Sequence, residues 1–349
     1  MRTKYLYPEE NWEMRTEKDN ASTRDFQSGQ IKKLYDHLVR KPYVLDPDPF
    51  VVTWEATVNG KKRTFVSYKC STEGSALRHC HHSIHSFLKS SYNSSDASFA
   101  YKGGSGILPC LNRHLHSDVF LKTDIHSFFT TIEKDRMKER LEKMVKLRYK
   151  RLCGIIVDCC YYEDKMPLGF ITSPVLSDIY LTELDACFEK RKDIVYTRYA
   201  DDFIISTSGE NAECVLQDVL DEIRKRLGKL GLELNSKKTY IRKLRQPGDA
   251  IHLLGLNLVK TDTDTNRITV SDSYIRKTSI EFCSLLSDRH SMSKEELAQA
   301  FVSVYGKIQF IKNASEKSAK KLLKMLSVKL NREVFLDHQS LWEIMMSAV

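Results

Sequence analysis

The sequence predicts an α+β fold in which antiparallel strand pairs alternate with amphipathic helices. Apolar β-formers alternate on both sides of Asn59-Gly60, a dipeptide that favours a two-residue hairpin turn. A second hairpin is predicted in segment 197–206, where Asp201-Asp202 interrupts two apolar runs. Apolar residues recur with helical spacing in segments 75–91, 133–150, 174–191 and 212–231. A further hairpin and lysine-rich helices are predicted after residue 258.

Local signals indicate where several helices begin and end. Thr130 and Glu133 have the spacing of a capping box at the start of the helix predicted over 133–150. Pro174 suits the first turn of the next helix, because proline lacks the amide hydrogen that this turn leaves unpaired. Gly231 suits a carboxyl-terminal cap.

Length and composition bound the class of protein. The 349 residues, 41% hydrophobic and 29% charged, suffice for a substantial core and about two or three domains. No apolar run is long enough to span a membrane, and the amino-terminal segment lacks an apolar signal core. Nine cysteines without regular spacing suit a reducing compartment. We therefore expect a cytoplasmic protein with no membrane partner, and the net charge of +9 favours a polyanion as partner.

Asp201 and Asp202 are the most informative pair of residues in the chain. Adjacent carboxylates repel each other, and a divalent cation is a common means of neutralising them. The alternative is a solvated turn, where most Asp-Asp pairs lie. A metal site therefore requires one more carboxylate from another part of the chain.

Asp124 is the candidate for that carboxylate. It ends a predicted strand that begins near Phe120, and a polar turn, two aromatic residues and a helix follow it. Aspartates placed on such strand ends can hold two Mg²⁺ ions for in-line phosphoryl transfer. The alternative is an ordinary turn residue at the exit of a strand.

Five segments resemble, in order, the motifs of a prokaryotic reverse transcriptase of the kind found in group II introns, retrons and phage-defence systems. They are segments 121–132 (motif A), 166–181 (motif B), 199–202 (motif C), 232–239 (motif D) and 253–257 (motif E). The resemblance implies a right-hand polymerase fold with fingers, a palm whose antiparallel sheet packs on helices, and a helical thumb. It assigns residues 1–50 to an amino-terminal extension, 51–115 to the fingers, 116–258 to the palm with fingers residues inserted around 140–168, and 259–349 to the thumb.

The same resemblance implies a catalytic centre. Its catalytic residues are Asp124, Asp201, Asp202 and Lys238. The three aspartates, of which Asp202 is the weaker member, and the carbonyl of Ile125 are also the metal ligands. The implied cofactor is a pair of Mg²⁺ ions, with Mn²⁺ as an alternative. Lys238 is implied to protonate the departing pyrophosphate, and the preceding lysine is the alternative for this role.

Further residues are implied to bind the incoming deoxynucleotide. Phe129 is the steric gate that excludes a 2′-hydroxyl, and a core position is the alternative for it. The amides of Ser127 and Phe128 are expected near the triphosphate. Arg63, on the predicted fingers hairpin, is expected to clamp the phosphates, and a solvated basic turn is its alternative.

Motif B departs from the resemblance at one position. The family usually has glutamine between the proline and the glycine, and this chain has Leu168, which cannot donate a hydrogen bond to a nucleotide or template. Gly169 and Thr172 of this motif, with Tyr199 and Ala200 of motif C, are implied to contact primer and template. Leu168 remains an implied nucleotide contact, and its aliphatic side chain suggests restricted templating or an unusual priming mode.

The sequence thus predicts an RNA-directed DNA polymerase. The expected partners are an RNA template, which includes the case of a dedicated non-coding RNA, the deoxynucleoside triphosphates and the DNA product. A partner protein or a second copy of the chain is a further expectation, and the expected role is antiviral defence. The alternatives are template-independent or protein-primed DNA synthesis, and a catalytically silent palm that binds RNA.

Overall fold

A computed structural model describes Leu34, Leu38 and residues 47–58, 60–144 and 150–347. Most of the predicted amino-terminal extension, residue Asn59 of the hairpin turn, and part of the fingers insertion lie outside these residues. Among the helices of the described ranges, none combines the length and the apolar character that crossing a membrane requires.

The first described elements confirm the hairpin and the helix predicted for the fingers. Strands β1 (Val51–Val58) and β2 (Lys61–Tyr68) pair antiparallel over their whole length. Helix α1 (Thr72–Ser91) follows, and its amino terminus is capped by the Ser71 hydroxyl, which accepts a hydrogen bond of 3.1 Å from the amide of Gly74. The short helix α2 (Ile107–Asn112) then leads towards the central sheet.

The central sheet has four antiparallel strands. They are β3 (Val119–Asp124), β4 (Val195–Tyr199), β5 (Asp202–Thr207) and β6 (Tyr240–Lys243), in the order β4-β5-β3-β6. The β4–β5 hairpin predicted around Asp201 is confirmed. In the register of β3 and β5, Asp124 lies directly opposite Asp202. The sheet therefore brings motifs A and C to one end of adjacent strands.

Five helices of the described residues lie between the strands of this sheet in chain order. They are α3 (Phe128–Thr131), α4 (Lys134–Met144), α5 (Lys150–Cys160), α6 (Ser173–Phe188) and α7 (Ala212–Lys229). The capping box predicted from Thr130 and Glu133 is wrong, because Thr130 lies inside α3 and its hydroxyl donates to the carbonyl of Ser127. Pro174 lies in the first turn of α6, one residue after the helix begins, and Gly231 follows α7 with a φ of 71°.

Alternation along β3 divides the core into two clusters. Val119 and Leu121 belong to a cluster that includes the apolar faces of α1, α5, α6 and α7. Phe120 belongs to a second cluster, which it shares with Ile204 and the carboxyl-terminal helices. Because successive side chains of a strand point to opposite faces, Asp124 lies on the same face as Phe120, at the open end of the strand.

The sequence predicted a hairpin and then helices after residue 258. The helices are confirmed, whereas the strands form a three-stranded antiparallel sheet that begins at Ala250. The strands are β7 (Ala250–Leu253), β8 (Leu256–Val259) and β9 (Arg267–Thr269). The helices are α8 (Asp272–Asp288), α9 (Lys294–Ala314), α10 (Glu316–Leu330) and α11 (His338–Ser347). Ser293 and Glu296 form a capping box at the start of α9. The boundary between palm and thumb at residue 258 stays a prediction.

Candidate active site

Three aspartates meet where β3 ends and the β4–β5 hairpin turns. Asp124 and Asp202 face each other in the strand register, and Asp201 occupies the turn between β4 and β5. The amide of Ile125 donates a hydrogen bond of 3.2 Å to the carbonyl of Asp201. This bond attaches the hairpin turn to the end of β3, so the separation of the carboxylates is set by the backbone.

Burial and mutual repulsion disfavour the charged forms of two of these carboxylates. Burial, with the negative charge of Asp201, raises the pKa of Asp202 to about 6. Burial, with the charge of Asp124, also raises the pKa of Asp201. A site that disfavours its own negative charge is one where a bound cation is strongly stabilising.

Asp124 is the aspartate whose surroundings best suit a bound cation. Its side chain is 3% exposed, and its Oδ1 atom has no hydrogen-bond partner within the described part of the chain. Its Oδ2 atom accepts a hydrogen bond from Nζ of Lys238. A buried carboxylate oxygen without a hydrogen-bond partner costs free energy. Coordination of a metal ion would remove that cost.

The backbone around Ile125 leaves its carbonyl out of the local ladder. The amide of His126 donates to Glu233 at 2.8 Å, and the amide of Asn235 donates to Asp124 at 2.8 Å. Neither hydrogen bond uses the Ile125 carbonyl, which is the atom expected to contact a metal.

The donor set fits Mg²⁺. Across the described ranges, no group of at least three His, Cys, Asp or Glu side chains has the geometry to hold a metal by itself. Mg²⁺ commonly takes one or two carboxylates and completes its octahedron with water and substrate phosphates. Asp124 and Asp201 are the side chains that would supply those carboxylates.

Lys238 reaches the site from motif D. A single 3₁₀ turn, Ser236–Lys238, carries it, and the Asn235 side chain accepts a hydrogen bond of 3.2 Å from the amide of Lys237 at the start of this turn. Partial burial acts to lower the pKa of Lys238, but its hydrogen bond and ion pair with Asp124 raise the pKa overall. The side chain is therefore a cation beside the carboxylates, which is where a general acid for a leaving pyrophosphate would have to lie.

Phe128 and Phe129 differ in exposure in the way that a steric gate requires. Phe128 is buried in the core, and Phe129 is half-buried at its edge, with 5.5 Å between the two ring centroids. Ser127 lies directly before α3, with a φ of 49°. Phe129 is thus the aromatic side chain available to a substrate, and its role as gate stays a prediction, as do the roles of the Ser127 and Phe128 amides.

Arg63, on the β1–β2 hairpin, interacts electrostatically with an aspartate of the site. The residue is exposed on β2, and its positive charge acts to lower the pKa of Asp201. A guanidinium here could approach the phosphates of a nucleotide, and this role of Arg63 stays a prediction.

The motif B loop lies directly against β2. The amide of Val66 donates a hydrogen bond of 2.7 Å to the carbonyl of Leu168, and the amide of Ile171 donates to the Tyr68 hydroxyl at 3.4 Å. Thr172 is fully buried, and its hydroxyl has no hydrogen-bond partner among the described residues. Gly169 contacts Val66 closely. The structure thus joins the predicted nucleotide and template residues of motif B to the fingers hairpin.

Comparison of the chain with protein-family models identifies its family. The model described as "Reverse transcriptase (RNA-dependent DNA polymerase)" matches residues 57–258. The chain belongs to the reverse transcriptase family. Its right-hand polymerase fold is the one that the sequence predicted.

Curated relatives are reverse transcriptases of retrons from Escherichia coli. The chain is 25% identical to the retron Ec48 reverse transcriptase over 185 residues, which are 52% of this chain and 43% of the relative. It is 28% identical to the retron Ec73 enzyme over 165 residues (42% and 51%) and 28% identical to the retron Ec86 enzyme over 153 residues (43% and 46%). The match thus spans about half the length of each relative.

Solved telomerase structures are similar at low identity. The apo telomerase of Candida tropicalis has a TM-score of 0.47 at 16% identity, covering 80% of this chain and 60% of that one. The telomerase of Candida albicans in complex with a fragment of telomeric RNA has a TM-score of 0.44 at 14% identity, covering 84% and 62%.

The motif C residues of this reverse transcriptase differ in exposure. Tyr199 is half-buried and packs against the second core cluster. Ala200 is nearly buried and has a φ of 56°, a left-handed conformation that costs a non-glycine residue about 1 kcal/mol or more. Their predicted contacts with primer and template stay predictions.

Sequence reasoning missed a buried charged cluster beside motif C. Arg198 lies one residue before the motif and is almost fully buried, together with Asp178 and Asp185 of α6. A signal was available: two aspartates seven residues apart share one face of a largely apolar helix, and the arginine interrupts a buried strand.

Proposed function

We propose that this protein is an RNA-directed DNA polymerase that extends a primer with deoxynucleotides by two-metal phosphoryl transfer. The observation that carries the proposal is the buried Oδ1 of Asp124, which has no hydrogen-bond partner among the described residues and is held beside Asp201 at the turn of an antiparallel hairpin. Two Mg²⁺ ions supply activation of the primer hydroxyl and stabilisation of the leaving pyrophosphate when they are bound.

The residues of this chain have distinct tasks in that reaction. Asp124 and Asp201 hold the metal, and Asp202 adds negative charge beside them. Lys238, a cation next to Asp124, donates a proton to the departing pyrophosphate. Phe129 lies against the sugar and disfavours a 2′-hydroxyl. Arg63, which is exposed on the β1–β2 hairpin, binds the phosphates of the nucleotide.

An RNA template is supported by two observations. The chain has a net charge of +9, which suits a polyanion, and its curated relatives carry names of retron reverse transcriptases. We extend the proposal to a dedicated non-coding RNA as template, a cytoplasmic location and a role in antiviral defence. A partner protein or a second copy of the chain fits the same role.

Leu168 favours a second candidate, namely synthesis on a restricted template or without one. Its carbonyl is fixed by Val66, so the side chain projects from a held backbone at the place where the family has glutamine. A leucine there contributes packing alone. Sequencing the DNA made on the native RNA and on an unrelated template separates the candidates, since a general polymerase copies both.

The Asp201→Asn variant tests the polymerase proposal. We expect incorporation with Mg²⁺ to fall by more than the roughly 10- to 100-fold that changes beside metal ligands cost, because a ligand charge is lost. Asp118→Asn is the matched control. Asp118 directly precedes β3 at the end of the strand remote from Asp124, and it forms a partly exposed ion pair with Lys260.

Three outcomes of that experiment are informative. Loss of incorporation in Asp201→Asn alone, with the circular dichroism and melting temperature of the wild type, supports the proposal. Near wild-type incorporation by Asp201→Asn contradicts it. A wild-type protein that binds RNA and incorporates no nucleotide on any primer-template is instead the silent RNA-binding palm.

A further inference from the structure

A buried arginine is attached directly to the turn that carries Asp201. The guanidinium of Arg198 donates to both carboxylate oxygens of Asp185, from Nε at 2.9 Å and from Nη2 at 2.5 Å. Nη2 also donates to Asp178 at 2.8 Å, and Nη1 donates to the carbonyl of Ala200 at 3.1 Å. Each nitrogen of the fork therefore has a partner, and one partner is the backbone of motif C.

The two aspartates are held in place by further donors. Asp178 accepts hydrogen bonds from the hydroxyls of Ser98 at 2.6 Å, Ser94 at 2.6 Å and Tyr92 at 2.8 Å. Asp185 accepts a hydrogen bond of 2.7 Å from the hydroxyl of Tyr196. Burial acts to raise the pKa of Asp178, and the charge of Arg198 with these hydroxyls lowers it overall, so this carboxylate stays ionised.

Backbone hydrogen bonds of Arg198 also connect β4 to a neighbouring segment. The amide of Arg198 donates to the carbonyl of Ala97 at 2.7 Å, and the carbonyl of Arg198 accepts from the amide of Phe99 at 2.8 Å. Segment 97–99 thus adds to the free edge of β4. Through Arg198, the motif C hairpin is bonded to α6 on one side and to the segment before α2 on the other.

The cost of burying charges indicates that this cluster contributes more to the positions of its hydrogen-bond acceptors than to the stability of the fold. Burying charges costs several kcal/mol per ion before their attraction offsets it, and well-packed apolar residues often give an equally stable core. A planar guanidinium, however, fixes several acceptors in one rigid arrangement, which apolar side chains and lysine cannot do. The acceptor nearest the reaction is the carbonyl of Ala200, in a residue whose φ of 56° is unfavourable without support.

We propose that Arg198 is a positioning residue for the metal site. By holding the carbonyl of Ala200, it fixes the peptide plane that leads into Asp201 and so directs the Asp201 carboxylate towards Oδ1 of Asp124. This inference rests on the proposed function, because it concerns the same carboxylates. It adds a residue that touches neither metal nor substrate.

Direct measurement of metal binding to the full chain tests this role. We would titrate Mn²⁺ without nucleotide or nucleic acid and follow free Mn²⁺ by electron paramagnetic resonance. Arg198→Lys keeps the charge and removes the fork, and we expect the Kd for Mn²⁺ to rise about tenfold, as for residues that orient metal ligands. The kcat of incorporation should fall, with little change in the KM for deoxynucleotides.

Arg140→Lys is the matched control. Arg140 is also a buried arginine that contacts α6, since its Nε donates to the carbonyl of Ile179 at 3.2 Å and it pairs with Glu183. It makes none of the bonds to motif C described above. We expect its Kd for Mn²⁺ to equal that of the wild type, even where the melting temperature falls.

If Arg198→Lys fails to fold, Mn²⁺ binding is measured on Tyr196→Phe instead. It removes one donor to Asp185 and leaves every charge of the cluster in place, so we expect a folded protein whose Kd for Mn²⁺ rises by about a factor of three, a smaller effect than that of the arginine. A folded Arg198→Lys with wild-type Kd overturns the inference. A wild-type Kd in Tyr196→Phe overturns it when Arg198→Lys is unfolded.

The same data separate this inference from the polymerase proposal. A wild-type protein that incorporates nucleotides while Arg198→Lys binds Mn²⁺ normally refutes the positioning role alone. A wild-type protein that incorporates nothing, with Mn²⁺ binding weakened in Arg198→Lys but not in Arg140→Lys, refutes the polymerase proposal and retains the positioning role.

Discussion

Gly169 lies so close to Val66 that a Cβ atom on residue 169 would be 2.3 Å from the Val66 carbonyl oxygen. The amide of Val66 also donates to the carbonyl of Leu168, next to this contact. Two backbones approach here without an intervening side chain. Strand β2 and the motif B loop are thus held together by backbone contacts beside the predicted nucleotide site.

Replacing Gly169 with alanine should destabilise the protein and weaken nucleotide incorporation. The added methyl group meets backbone, which cannot move aside as a flexible side chain would, and the φ of 114° is itself unfavourable for alanine. We expect a loss of about 2 to 4 kcal/mol in the free energy of unfolding, measured by chemical denaturation.

Gly209→Ala separates the two causes. Gly209 has a nearly identical φ of 110°, and its Cβ would meet nothing within 4 Å. This variant should show the conformational cost alone, about 1 to 2 kcal/mol, with normal incorporation. Equal losses of stability in the two variants would show that the contact with Val66 is unimportant.

The sequence predicted the elements around the site because their signals are local. The hairpin turn at Asp201 follows from two apolar runs on either side of a polar pair, and Pro174 and Gly231 mark helix ends through their own backbone preferences. The short helix α3 was not predicted, and the capping box assigned to Thr130 was wrong, because spacing alone does not say which of two adjacent helices a residue enters.

The long-range bonds of the site were beyond sequence reasoning for a different reason. Arg198 contacts Asp185 because β4 packs on α6. Val66 and Leu168 form a hydrogen bond although they lie far apart in the sequence. A single sequence shows that these residues are charged or apolar but not which of them become neighbours. The ordered motifs nevertheless placed Asp124, Asp201 and Asp202 in one site before any contact was known.

The Phe129→Ala variant should incorporate ribonucleotides more readily. Phe129 is the half-buried member of the aromatic pair, so removing its ring opens space where a 2′-hydroxyl would lie, and the buried Phe128 continues to support the loop. The quantity to measure is the ratio of kcat/KM for a ribonucleotide to that for the matching deoxynucleotide, and we expect it to rise by about tenfold or more.

Phe128→Leu is the control for that measurement. It changes the volume of a core side chain while keeping its apolar character, so it should cost about 1 kcal/mol of stability and leave the ratio unchanged. A ratio that rises in Phe128→Leu and stays constant in Phe129→Ala would transfer the gate to Phe128.

His114 should make the protein less stable as the pH falls below neutrality. Its ring is buried beside the β4–β5 hairpin, with Nδ1 at 2.6 Å from the Ser206 hydroxyl and Nε2 at 2.7 Å from the Thr197 hydroxyl. In the neutral ring, one nitrogen donates to its hydroxyl partner and the other accepts. Burial, with the charge of Arg113, lowers the pKa of His114 to about 3.

The sign of the effect follows from proton uptake. An unfolded histidine has a pKa of about 6.5. Between that value and about 3 the unfolded chain therefore binds a proton that the native protein does not, and the free energy of unfolding falls by about 1.4 kcal/mol for each pH unit per such group. His81 acts in the same direction, because burial lowers its pKa to about 4.

Denaturation by urea between pH 7.5 and pH 5 measures this dependence, and His114→Gln identifies its source. Glutamine retains a donor and an acceptor but does not titrate, so the variant should be less stable at pH 7.5 and lose less stability on acidification, by about one proton's contribution. His116→Gln, which alters an exposed histidine two residues away, should keep the wild-type slope. If His114→Gln and the wild type lose stability in parallel, His114 binds its proton in the native state, and the pair of hydroxyl bonds to β4 and β5 does not depend on a neutral ring.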